Sequence, residues 1–124
     1  MRRRPASGST PISVPDLRPG SVVWAWLDPS VGREQAGRRP VVVVSSAGHL
    51  DTVDTLVIVV PVSRTDRGWP NHVALSGDGL PAGVAMTEQP RTISRSRLDS
   101  PVGVVDDQCL ASIRRWLADW LDLA

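Results

Sequence analysis

The chain contains neither phenylalanine nor tyrosine, so its core has to come from valine, leucine, isoleucine and five tryptophans. It has no lysine, and all 14 basic residues are arginine. Codon bias in a GC-rich genome produces such a composition on its own. Even so, every cation is a planar, permanently charged fork suited to phosphate. Cysteine occurs once, at Cys109, which excludes an internal disulfide framework and a cysteine-based zinc site. Within a helical pattern it reads as a small buried apolar residue. No apolar run approaches the roughly 18 residues a membrane span needs. Neither sign of charge is in excess, the formal net charge being +1, so global charge does not argue for nucleic acid or membrane. Met1 to Arg4 looks like the start of a secretory signal, but Pro5 to Thr10 is small and polar where an apolar stretch should follow. A cytoplasmic location without a membrane partner is therefore expected.

What remains is an ordinary globular balance of 41% hydrophobic and 22% charged residues over 124 positions, enough for one domain with a core of its own. Residues 1–18 combine arginine and proline with small polar residues and read as a flexible basic arm; the domain is expected over 19–124. Ser21–Leu27 alternates as a strand, with Trp24 and Trp26 on one face as core or dimer interface. Asp28–Arg39 reads as a long loop, and Val41–Val44 as a strand buried on both faces. Ala47–Asp54 is a Gly/His/Asp stretch. Further strands are expected at Thr55–Val62, His72–Leu75, Gly83–Thr87, Arg91–Ile93 and Pro101–Val105. Asp106 then caps a helix whose apolar face is Leu110, Ile113, Leu117, Trp120 and Leu121. Trp116 and Trp120, four residues apart, are expected to pack on the sheet. The fold class is mainly β, a small antiparallel barrel with a C-terminal helix.

No metal-ligand cluster is visible, because His49 and His72 are isolated from other donors; no cofactor is expected. No phosphate-binding glycine loop and no nucleophile elbow occur. Three polar segments do lie at strand ends: Gly32–Pro40, Pro61–Arg64 and Glu88–Thr92. Brought to one rim, they would unite arginines, a hydroxyl and one or two carboxylates. Metal-free RNA cleavage by the substrate's own 2′-hydroxyl uses such a set. A guanidinium matches the non-bridging oxygens of the phosphorane through two parallel hydrogen bonds. Arginine is a poor base, so Glu34 or Glu88 is the easier proton acceptor, helped if partial burial raises its pKa.

These segments carry a resemblance. Gly20–Trp24 and Asp28–Ser45, with the block Glu34-Gln35-x-Gly37-x-Arg39-Pro40, are similar to the opening of the MazF/PemK/Kid toxins of toxin–antitoxin modules. Val60–Ser63, Arg67–Pro70 and Glu88–Ile93 resemble the next blocks in the same order, over about residues 20 to 121. The resemblance implies an SH3-like barrel, a homodimer, cleavage of single-stranded mRNA and inhibition by a MazE-like antitoxin with an acidic tail. It implies that Arg39 is catalytic, with Ser63, a threonine in many members, as its partner. Glu88 matches the acid that is catalytic in the Kid branch. That branch also has a histidine where this chain has Arg33 and an arginine where it has Met86; the two departures favour a scheme centred on Arg39 and Ser63.

Each residue also has a plain structural reading. Ser63 could bond its own turn, Glu34 and Gln35 could order the loop, and Glu88 could pair with Arg91. Arg38, Arg64 and Arg67 could be solvated charges that attract RNA, as could Arg33 beside Glu34. Trp69 could stack a base or cover the barrel end, and Gln89 falls in the same expected RNA surface. Two rival functions stand beside the nuclease: a CcdB-like DNA gyrase poison, which needs neither Arg39 nor Ser63, and an inactive peptide-binding SH3-like module.

Overall fold

The computed structural model describes residues 16–27 and 37–123. β-Branched runs form the strands β1 (Ser21–Trp26), β2 (Arg38–Val43), β3 (Leu56–Ser63), β4 (His72–Ala74), β5 (Val84–Met86), β6 (Arg91–Ser94) and β7 (Leu98–Val104). Two helices, α1 (Ala47–Thr52) and α2 (Asp107–Trp120), and a 3-10 turn at Arg95–Arg97 complete the described elements. Of the expected N-terminal arm, residues 1–15 lie outside the described residues; at its end Leu17 packs against the core.

Every strand pairing among the described residues is antiparallel. The run β6-β3-β2-β1-β7 is one hydrogen-bonded path. Its two ends, β6 and β7, are consecutive in the chain and are joined only by the 3-10 turn. The ladder itself stays open, while the chain bridges the seam. Register shifts in β1 against β7, between Val22 and Val23 and again before Ala25, are the irregularities that bend a strand around such a core.

Alternation in the strands serves two cores. Val23, Ala25, Val41, Val43, Val57 and Val59 meet Ile93 and Leu98. The intervening Val22, Val42, Val60 and Val62 meet Ala85, Cys109 and Ile113 under α2. Val41, Val42 and Val43 are all fully buried, whereas Val44, expected to continue the strand, lies past the end of β2 and is partly buried. β3 ties the halves together: its first four residues pair with β6 and its last two with β5.

Three readings change. The Ala47–Asp54 stretch, assigned no element from the sequence, holds the six-residue α1, capped by Ser46, which accepts a hydrogen bond from the His49 amide. β2 begins at Arg38 rather than beyond Pro40, because Trp26 and Ala25 of β1 pair with Arg38 and Arg39. Trp24 and Trp26 do not enter the core; Trp24 is half-buried and Trp26 is 52% exposed. The helix is as expected at its start, where Asp106 accepts from the Cys109 amide at 2.8 Å. At its end Trp120 and Leu121 are largely exposed.

Candidate functional site

A groove of about 490 Å³ opens where β2 and β3 part, lined by Trp24, Arg38, Arg39, Pro40, Val62, Ser63, Arg64, Thr65, Pro81 and Ala82. The parting has a covalent cause. The β2–β3 ladder ends at Val41 opposite Pro61, and neither Pro40 nor Pro61 has an N–H to extend it. Beyond that point β2 stays with β1 and β3 joins β5. Two residues beyond that last pair on their own strands, Arg39 and Ser63 both line the groove. Gly83 allows the third wall to approach: a Cβ there would stand 2.7 Å from Val62 Cγ1 and 3.1 Å from the Ser63 carbonyl oxygen.

The two arginines of β2 differ. Arg38 donates through Nε to Asp99 at 2.6 Å and lies over the Trp24 ring at 4.5 Å. Arg39 makes no side-chain hydrogen bond or ion pair with another described residue and lines the groove. Ser63 Oγ accepts from the Thr65 amide at 3.0 Å, and its own hydroxyl hydrogen finds only the distant Thr65 carbonyl at 3.4 Å. Its acceptor side is therefore held while its donor is free to turn.

Glu88 is elsewhere. It lies two residues past the end of β5, whose other end, Val84, faces Ser63. Its Oε1 accepts from Asn71 at 2.8 Å, its Oε2 from Gln89 at 3.3 Å, and both oxygens face His72 Nε2 at 3.1 Å. Burial pushes its carboxyl pKa up, but hydrogen bonds from His72, its own backbone amide and Gln89, with the charge of His72, outweigh this and hold it below the usual carboxylate value. The raised carboxyl pKa that would help Glu88 as a base is thus not found.

The remaining expected residues fall only in part at these two places. Arg64 joins the groove. Arg67 lies 5.9 Å from the centroid of Trp69, and Trp69 rests on His72 at 4.8 Å, beside Glu88 and Gln89. Arg91 opens β6 opposite Val59. Arg33, Glu34 and Gln35 lie outside the described residues. No group of three or more His, Cys, Asp or Glu side chains among the described residues could hold a metal ion.

The model of the PemK-like, MazF-like toxins of type II toxin–antitoxin systems matches residues 18–121. The chain belongs to the PemK/MazF toxin family. This toxin is 35% identical over 102 residues to the endoribonuclease toxin MazF of Escherichia coli K12, covering 82% of this chain and 88% of that protein. The crystal structure of MazF from Deinococcus radiodurans superimposes with a TM-score of 0.74 at 30% identity, over 86% of this toxin and 96% of that chain. A MazE–MazF structure from the same organism aligns with a TM-score of 0.74 at 27% identity, over 87% and 98% of the two chains. Those likenesses establish the antiparallel β fold with its C-terminal helix.

Sequence reasoning misses several residues of the candidate site. Trp24 and Asp99 brace Arg38. Asn71 and His72 fix Glu88, and Thr87 accepts from Trp120 Nε1 at 3.1 Å while donating to the Asn71 carbonyl at 2.9 Å. The signal available was the hairpin: β4 and β5 place His72 opposite Met86, two residues from Glu88. In one dimension His72 shows only as a lone histidine.

Proposed function

We propose that this endoribonuclease toxin of a toxin–antitoxin system cleaves single-stranded mRNA at the β2–β3 groove, by attack of the substrate's 2′-hydroxyl on the adjacent phosphorus. The 2′-oxygen bonds to phosphorus, the bond to the 5′-oxygen breaks, and a 2′,3′-cyclic phosphate and a 5′-hydroxyl result. The observation that carries this reading is that Arg39, without a side-chain partner among the described residues, and Ser63 line one groove. Arg39 supplies two parallel hydrogen bonds to the non-bridging oxygens as charge grows on them. Ser63 turns its hydroxyl to the same phosphate. One proton leaves the 2′-hydroxyl and another reaches the departing 5′-oxygen. Glu88 already accepts from Asn71, His72 and Gln89, so Glu34, the other glutamate expected as a base, is the candidate. Arg38 and Arg64 extend the positive wall along the strand, and Trp69 with Arg67, Gln89 and Arg91 meets the RNA further on.

Neutralisation by a MazE-like antitoxin and assembly as a homodimer complete the reading, which places the toxin in the cytoplasm. No helix among the described residues is long and apolar enough to cross a membrane. The curated relatives are named as endoribonucleases, which disfavours the gyrase alternative. Pure protein incubated with a long transcript in EDTA is expected to leave cyclic phosphate ends. Activity that appears only when magnesium is restored would remove the mechanism.

A further inference from the structure

We infer that His72 is a positioning residue for the RNA: it ties Trp69 to Glu88 and so holds an exposed indole as a rigid shelf for one unpaired base. The inference rests on the endoribonuclease reading and deepens it by assigning a residue outside the Arg39–Ser63 groove.

The His72 side chain is 2% exposed, yet the Trp69 ring that rests on it is 46% exposed. The two rings are 4.8 Å apart with their planes 35° from parallel. From the other side, Nε2 faces both oxygens of Glu88 at 3.1 Å, and Asn71 holds that carboxylate at 2.8 Å. His72 Nδ1 is buried without a partner. An unpaired buried nitrogen costs stability, and a phenylalanine would fill the same space without that cost. What phenylalanine cannot do is bond Glu88. The histidine is explained by the connection it makes: an aromatic face upward and a hydrogen bond downward to a fixed anchor. Pro70 fixes φ directly after the indole, and Gly68 before it supplies the φ of +78° that the turn requires. A shelf fixed before RNA arrives loses less freedom on binding than a mobile ring would. The Arg67 guanidinium lies over the indole, 5.9 Å from its centroid, so a stacking base takes its place on the ring and leaves the cation to meet the nucleotide's phosphate.

The test uses the full chain and an oligonucleotide spanning a mapped cut site, with each nucleotide in turn made abasic. Trp69→Ala, His72→Phe (ring kept, bond to Glu88 lost) and His72→Gln (donor kept, ring lost) are compared with wild type after cooperative melting has shown that each folds. Each variant is expected to raise KM by about fivefold or more, the lower range of base stacking on an aromatic ring. The kcat should stay within about twofold, as for lost uniform binding. One abasic position should penalise the wild type and lose its penalty in all three variants. Folded His72 variants with wild-type KM and an intact abasic penalty would overturn the inference. If both His72 variants fail to fold, Glu88→Gln takes their place: a raised KM supports the brace and an unchanged one overturns it. Failure of the wild type to cut RNA at all would overturn the endoribonuclease reading, and this inference with it.

Discussion

At the scale of single residues, the two neighbouring arginines of β2 have opposite fates. Asp99 and the Trp24 ring hold Arg38, whereas Arg39 lines the groove with no side-chain partner among the described residues. Arg39→Ala is therefore expected to lower kcat by at least a hundredfold, the usual effect of deleting one preorganised donor, with an unchanged melting curve; full activity in a folded variant would exclude Arg39. Glu88 makes a different prediction. Its carboxyl is more acidic in the fold than its ordinary value of 4.5. Its contribution to stability is thus complete above that pH and drains away as pH falls through the lower folded value. Glu88→Gln should be less stable than wild type near neutrality, and the gap in Tm should close between about pH 4.5 and more acidic solutions; a gap that is constant with pH would contradict the hydrogen-bonded arrangement. Arg39 and Ser63 were legible in the sequence because motif and strand ends coincide there. His72 was not, since its meaning comes from the β4–β5 pairing and the turn beyond it.

At the scale of elements, the groove exists because Pro40 and Pro61 end one ladder at the same level. The sequence shows both prolines, but only the register shows that they are neighbours. The same register moves Arg38 and Arg39 from an expected loop onto a strand held by β1. α1 escaped sequence reading because a six-residue helix containing glycine has little propensity to reveal it; its Ser46 cap was the one available sign. Gly83 sits where β5 closes on Ser63, and an added methyl would meet Val62 and the Ser63 carbonyl within 2.7 and 3.1 Å. Gly83→Ala should lower Tm and reduce cleavage together, measured by calorimetry and by initial rates on one oligonucleotide. Loss of neither would show that β5 can retreat freely.

At the scale of the whole molecule, two valine-rich cores lie on opposite faces of shared strands. Alternation and the helix cap made the fold class readable. The joining of the ring ends through the 3-10 turn was not, because β6 and β7 find their partners on β3 and β1, far away in sequence. Cys109 belongs to the core under α2; it is 5% exposed, with its thiol 3.5 Å from the Ala74 carbonyl. Burial, aided by the charge of Asp106, pushes the thiol pKa up against a hydrogen bond from the Ser76 backbone, so the reactive thiolate is scarce while the helix is seated.

That sulfur makes the toxin its own stopwatch. A chromogenic disulfide reagent in excess should label native protein slowly and to one equivalent, at a pace set by how often the helix lifts from the sheet. Colour development as fast as in urea would mean that the helix is already loose. A stabilising ligand on the far side of β3 should slow the clock only if the two cores open together.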